Sequence, residues 1–273
     1  MKIREPVSLK FFMILLFANS VSAASVDGVP LHSSISGTGH RAVILVHGWT
    51  CDETSWESQV PALSRNYRTI TLDLPGHGQS GSPADGELSM DLFARAIEAV
   101  RSETAADPVA LVGHSMGTPV IIQYARLYPQ HTLGLVFVDG PVALPRNLPP
   151  AELFAGPDGL KEREKLIRSM FSQSTTPQMQ EHILSMMLSA PEATAVGAMR
   201  AARNPALWQA DVFMQPVLGL YADGSTMAER EYMQARFPNL EYFQFSGTGH
   251  FLMLEQPEQF NRVLLAFLDK LEY

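Results

Sequence analysis

An α/β fold on a mostly parallel central sheet, flanked by helices and broken by a helical insertion, is what this sequence predicts, and three observations predict it. Residues 42–46 and 133–138 are almost continuously apolar, as strands buried on both faces are, and such runs alternate with stretches of helical apolar period. A third run, 109–112, passes within about one residue into a helix at Gly113-His114-Ser115-Met116-Gly117. The alternation stops at Gly140-Pro141, gives only helical stretches to Gln215, and resumes at Val217.

In chain order, residues 26–40 read as a polar β-hairpin with its turn at Ser36-Gly37-Thr38-Gly39. The strand at 42–46 ends in His47-Gly48-Trp49, and a helix carrying Trp56, Val60 and Leu63 is expected over 55–66. A strand at 68–73 gives way to the turn-rich Leu74-Pro75-Gly76-His77-Gly78-Gln79-Ser80. Phe93, Ile97 and Val100 share one face of a helix over 87–103. At Ser115 the bend strains the backbone, and side chains two residues either side would collide; glycine at 113 and 117 removes them. Ser115 Oγ is then exposed at the carboxyl edge of the sheet, with the first amides of the next helix aimed at it.

Helical stretches near 158–173, 177–189 and 192–203, parted by Pro177, Pro191 and Pro205, make 141–215 a helical cap inserted into a core of 24–140 and 216–273. A linker with an oligomerisation segment is the competing reading. Strands at 217–221 and 240–245 enclose a helix reaching Phe237, and a closing helix carries Phe260, Val263, Leu264, Phe267 and Leu271.

At 273 residues the chain has room for one large α/β domain or two small ones. Its N-terminus is a segment apart. Lys2, Arg4 and Lys10 precede the apolar run 11–18, and Val21-Ser22-Ala23 places small residues at a cleavage position. Residues 1–23 therefore read as a secretory signal peptide, the apolar run being short for a bilayer span; an uncleaved anchor is the alternative. Cleavage would remove three cations and Glu5, taking the formal net charge from −8 to −10. An acidic surface of this kind disfavours nucleic acid and anionic membrane as partners. Cys51 is the sole cysteine, so no internal disulfide can form, and stability rests on the core.

A hydroxyl is a poor nucleophile until a base takes its proton, and that base needs an acid to hold its tautomer. His250 is the candidate base, since it follows Ser246-Gly247-Thr248-Gly249, a flexible turn from which its ring can reach over the sheet edge toward Ser115. His47 and His114 at strand ends, and His77 in a glycine turn, read as histidines fixed by packing; His32, His40, His131 and His182 read as surface positions. No pair has metal-ligand spacing, so neither a metal nor another cofactor is expected. A tetrahedral intermediate needs amide donors aimed at its oxyanion. Met116 N–H, just after the nucleophile, and Trp49 N–H, on the loop that leaves its strand beside the bend, are the two candidates.

HGW at 47–49, DLPGHGQS at 73–80, GHSMG at 113–117, VFVDGP at 136–141 and GTGHFLMLEQPEQF at 247–260 together resemble the α/β-hydrolase superfamily. Within it the chain is similar to the capped group of small-molecule esterases, enol-lactonases and carbon–carbon bond hydrolases. The resemblance spans about 30–271 and implies the α/β-hydrolase fold and a Ser-His-Asp triad. Serine at the bend disfavours the epoxide hydrolases and haloalkane dehalogenases of this fold, which use aspartate there. Relatives usually carry the acid a few residues after the strand that here is 217–221, but the aligned position holds Ser225. Asp223 stands at about the family's usual interval from the histidine and is the expected acid. Asp139, after the strand at 133–138, is the alternative, by analogy with some haloalkane dehalogenases.

The cap is rich in methionine, which adapts to irregular apolar ligands, and Met170, Met186 and Met187 are its candidate acyl-pocket residues. The expected activity is that of an exported serine hydrolase, secreted or periplasmic, cleaving a small apolar or aromatic ester, thioester or lactone through an acyl-enzyme on Ser115. An aminopeptidase, a carbon–carbon hydrolase and a catalytically inactive binding protein are the competing readings.

Overall fold

Strand register decides where the site stands. The structure, a computed structural model, describes residues 20–21, 24–227 and 229–273. The expected leader, 1–23, lies outside the described residues apart from Ser20–Val21. Among the described residues ten strands run in chain order as β1 (Ser20–Val21), β2 (Ser25–Val26), β3 (Val29–Pro30), β4 (Ser33–Ser36), β5 (Ala42–Val46), β6 (Arg68–Leu72), β7 (Val109–His114), β8 (Thr132–Val138), β9 (Val217–Ala222) and β10 (Leu240–Phe245). Eight of them form one sheet in the order β1-β4-β6-β5-β7-β8-β9-β10, and β2 pairs with β3. From β6 to β10 every pairing is parallel, while β4 and β1 add an antiparallel edge. The chain leaves β5 for β6 on one side and returns to β7 on the other, so the loops after β5 and β7 diverge and open a crevice at the carboxyl edge.

The helices are α1 (Val60–Leu63), α2 (Met90–Glu103), α3 (Gly117–Leu127), α4 (Gly159–Ser169), α5 (Pro177–Ser189), α6 (Glu192–Arg203), α7 (Arg230–Arg236), α8 (Leu252–Glu255) and α9 (Pro257–Leu268). Strands β5, β7 and β9 are buried at every residue, which is why they read as continuous apolar runs. Among the described residues the segment between β8 and β9 carries α4, α5 and α6 and no strand. Thr176 caps α5 by accepting from Met179 N–H, and Pro177 occupies the first turn, where no backbone donor is needed. No described helix is long and apolar enough to cross a membrane.

Two local expectations are corrected. The hairpin turn falls at Asp27-Gly28, between β2 and β3, and not at 36–39. Both central residues have positive φ, 49° and 78°, as a type I′ turn demands. The helix expected over 55–66 is two pieces, a 3₁₀ turn at Glu53–Trp56 and then α1. Pro61 has no N–H to give to the preceding turn, so the helix restarts around it and cannot run through.

Candidate active site

At the β7–α3 bend Ser115 has a φ of +52°, and its amide bonds to Val138 O at 2.9 Å. A Cβ on Gly113 would stand 2.4 Å from Gly117 O, and one on Gly117 would stand 2.5 Å from Val46 O. No side chain fits either gap, so these glycines fix the bend sterically. The amides of Trp49 and Met116 have no hydrogen-bond partner among the described residues, and both residues line the same cavity as Ser115.

The loop that carries Trp49 is held by a histidine. Leu74 N–H donates to His47 Nε2 at 3.0 Å, so the ring's other nitrogen bears the proton and donates to Gly48 O at 2.8 Å. Burial pushes the His47 imidazole below its ordinary range and keeps it neutral, although Asp73 opposes the shift. With Gly48 O turned onto His47 and Cys51 N–H, the trans peptide aims Trp49 N–H the opposite way. The Trp49 indole donates to Ala195 O at 2.8 Å and packs on Phe154, so the loop is also tied to α6.

His250 is buried in the loop after β10, and its Nδ1–H donates to Asp139 Oδ2 at 2.7 Å. A carboxylate only accepts, so this bond leaves Nε2 as the imidazole's basic atom. The second Asp139 oxygen accepts from Ala222 N–H at 3.2 Å, and the Asp139 amide bonds to Leu220 O at 2.9 Å. Next to it, the buried Tyr221 hydroxyl donates to Gly140 O at 2.8 Å, and burial raises its pKa well above the phenolic range. His114, one residue before Ser115, donates from Nε2 to His250 O at 2.9 Å; burial holds it well below the imidazole range, hence neutral.

The expected preference for Asp223 is therefore corrected. Asp223 is exposed, and its amide still belongs to the β9–β10 edge through Phe245 O at 3.0 Å. Asp139, the alternative, is the carboxylate against His250. Sequence reasoning missed Tyr221 beside it; the signal available was a tyrosine near the end of an apolar strand, two positions before the expected acid.

Ser115, Trp49 and Met116 open on a cavity of about 570 Å³. Leu166, Met170, Met199 and Trp208 come to it from the inserted segment, and the loop 141–149 after β8 contributes throughout its length. Of the three methionines expected there, Met170 lines the cavity. Met187 is buried outside the cavity lining, and Met186 packs its sulfur onto Ser55 Oγ at 3.4 Å and Thr54 Oγ1 at 3.5 Å. Met186 thereby ties α5 to the 3₁₀ turn at Glu53–Trp56. The histidines expected to be fixed by packing, His47, His77 and His114, are all buried. Of the four expected at the surface, His32 and His131 are half-buried and paired with Glu53 and Asp107. No group of three His, Cys, Asp or Glu among the described residues could hold a metal.

A model of the alpha/beta hydrolase family matches residues 43–263, and the chain belongs to that family. An esterase from Thermogutta terrifontis superposes with a TM-score of 0.79 at 25% identity, over 93% of this chain and 98% of that one. An enol-lactonase from Burkholderia xenovorans superposes at 0.82 and 19% identity, over 92% of this chain and all of that one, a likeness of fold. In sequence the chain is 26% identical to the 2-hydroxy-6-oxononadienedioate/2-hydroxy-6-oxononatrienedioate hydrolase of Burkholderia vietnamiensis, covering 89% of this chain and 93% of the relative. It is also 26% identical to the dihydrolipoyllysine-residue acetyltransferase component of the acetoin cleaving system of Cupriavidus necator, covering 90% of this chain and 68% of that protein. The protein is a hydrolase of the α/β-hydrolase type.

Proposed function

We propose that the protein is an exported serine hydrolase that cleaves a small apolar or aromatic ester, thioester or lactone. The observation that carries this reading is the buried His250–Asp139 pair on the sheet edge that presents Ser115 to a largely apolar cavity. Ser115 Oγ attacks the carbonyl carbon while its proton passes to His250 Nε2, and Asp139 stabilises the imidazolium that forms. The oxyanion takes the free amides of Trp49 and Met116. Collapse expels the alcohol, thiol or lactone oxygen, which takes the proton from His250; water then attacks the acyl-enzyme by the same steps in reverse roles.

A carbon–carbon hydrolase is the second reading, favoured by the relative from Burkholderia vietnamiensis. The substrate named for that protein is a dioate, with two carboxylates to hold. Here the cavity lining offers one cation, exposed Arg146, against one anion, exposed Glu229, and the body of the lining is apolar. A neutral carbonyl substrate suits it better.

The test is a fluorophosphonate probe with a panel of p-nitrophenyl esters, lactones, aminoacyl anilides and a vinylogous diketo-dioate. Labelling of Ser115 and ester or lactone turnover are expected, with Ser115→Ala abolishing the label and lowering kcat by at least about three orders of magnitude. Turnover unchanged in a folded Ser115→Ala protein would sink the mechanism and favour a binding protein. Export predicts a mature chain beginning at Ala24; intact Met1 in protein recovered outside the cytoplasm would refute cleavage.

A further inference from the structure

The loop that carries His250 is gripped from outside the site. Three donors converge on the carboxylate of Glu255, at the end of α8. Its Oε2 accepts from Gly249 N–H, and its Oε1 accepts from Ser172 Oγ at 3.2 Å and from Thr175 Oγ1 in a shorter bond. Ser172 and Thr175 belong to the turn between α4 and α5 of the insertion, where Ser172 N–H also donates to Thr175 Oγ1 at 2.8 Å. The same turn reaches the histidine loop twice more. His250 N–H donates to Met170 O at 3.2 Å, and Ser174 Oγ donates to Gly247 O at 2.6 Å. A Cβ on Gly249 would lie 2.8 Å from Met170 O, so the two backbones touch with no room for a side chain.

The chemistry calls for a carboxylate at this point. Glu255 is acceptor-only and meets three donors, whereas a glutamine would present its own NH₂ to at least one of them. An aspartate is shorter by one methylene and cannot span from Gly249 to Thr175.

We infer that Glu255 is a positioning residue for the base: it locks the His250 loop to the 170–175 turn of the insertion and so holds the imidazole on line between Asp139 and Ser115. The inference rests on the serine-hydrolase reading above. Met170 stands at the junction, since its residue lines the cavity and its carbonyl holds His250 N–H. The insertion thus seats the base as well as covering the substrate.

The experiment compares Glu255→Gln, Thr175→Val, their double variant and the conservative Thr175→Ser, with the full chain and a p-nitrophenyl ester. For interactions that share one carboxylate, Glu255→Gln is expected to lower kcat about tenfold or more and Thr175→Val about fivefold, both with KM unchanged. The double variant should be no worse than Glu255→Gln alone, and Thr175→Ser should stay within about twofold of the wild type. Hydrogen exchange supplies a readout free of chemistry: protection of the Gly249 and His250 amides should drop about tenfold in both single variants. Unchanged kcat with unchanged amide protection, or fully additive losses in the double variant, would overturn the inference. Should Glu255→Gln fail to fold, Thr175→Val decides by the same two readings. If the wild type shows no turnover that depends on Ser115, the hydrolase reading falls, and amide exchange still judges the clasp.

Discussion

Asp139 and Asp223 each follow a buried parallel strand by one residue, at the carboxyl edge of one sheet, and their surroundings are opposite. Asp139 leaves β8 between two neighbours, with φ at +42°, and turns inward. There β9 supplies an acceptor for its amide and a donor for its carboxylate, and the loop after β10 supplies His250. Asp223 continues the direction of β9, keeps a ladder bond to Phe245 O, and exposes its side chain. A carboxylate stays buried where backbone and side-chain donors already converge on it, because an unpaired buried charge costs several kcal/mol, about 3–5 when one partner of a buried pair is removed. Sequence interval counts residues and cannot count donors.

The largest expected effect breaks or upholds that contrast directly. Asp139→Asn should lower kcat by about two to four orders of magnitude with little change in KM, since the imidazole loses both its tautomer and its counter-charge. Asp223→Asn should stay within about twofold of the wild type, as exposed substitutions away from a site do. Steady-state kinetics at neutral pH on both variants, with circular dichroism as the check of fold, makes the comparison. An inactive Asp223→Asn beside an active Asp139→Asn would reverse the assignment.

Much of this edge was legible in the sequence, and the reason lies in which interactions are local. Gly113 and Gly117 must flank Ser115 because the collision they avoid is set by a five-residue bend. The strand at 42–46 has the limits of its apolar run, and the strand at 240–245 has the limits expected of it. The Met116 amide, one residue after Ser115, belongs to the same bend, whereas Trp49 and His250 were expected beside it from their places after other strands of the sheet. The carboxylate that meets His250 was not legible, because that pairing depends on Leu220, Ala222 and His250, which are 81 to 111 residues from Asp139 in the chain and meet it only through sheet order. The pocket was misjudged in the same way. Helical spacing marked Met186 and Met187 as apolar without telling which faced the core, and nothing periodic marks the loop 141–149 as cavity lining.

Protonation sharpens the contrast at a smaller scale. The loops after β5 and β6 and the end of β7 bury His47, His77 and His114, all held below the imidazole range by desolvation, and His77 lies at about 3 against an ordinary 6.5. Below pH 6.5 the unfolded chain binds protons that the folded chain refuses, so stability rises with pH in that window and is lost as pH falls toward 3. At pH 4.5 His77 alone should cost about 3 kcal/mol, at roughly 1.4 kcal/mol per pH unit. Thermal melts from pH 7 to 4.5 should therefore fall steeply for the wild type and less for His77→Gln, which keeps a donor for Pro75 O. Identical slopes would show that His77 does not carry the acid lability.

Support for the buried acid can be removed without touching the acid. Tyr221→Phe deletes the hydroxyl that donates to Gly140 O and leaves a buried carbonyl unpaired, at a cost of about 1–3 kcal/mol. If that bond steadies Asp139, kcat should fall about tenfold at constant KM, because the strain is felt where the imidazolium forms. A loss of thermal stability with kcat unchanged would make Tyr221 a core residue only.

The smallest effect concerns what the loop after β9 does in place of supplying a carboxylate. That loop brings Met227 to the cavity, half-buried, and Tyr232 of α7 stands beside it in the lining. The Met227 side chain contributes apolar surface, which a substrate gains equally in the ground state and the transition state. Losing such uniform binding raises KM and leaves kcat alone. Met227→Ala should therefore raise KM a few-fold for a long-chain or aryl ester, by about 1 kcal/mol of lost apolar burial, and do less to an acetate. Met186→Ala is the control, because its sulfur faces Ser55 and Thr54 and not the cavity; it should lower the melting temperature and leave chain-length preference alone. If Met227→Ala instead lowers kcat on every ester by the same factor, the loop after β9 acts on the chemistry after all. The contrast with the loop after β8 would then be one of degree, and Asp223, at the head of that loop, would again have to be weighed as part of the machinery.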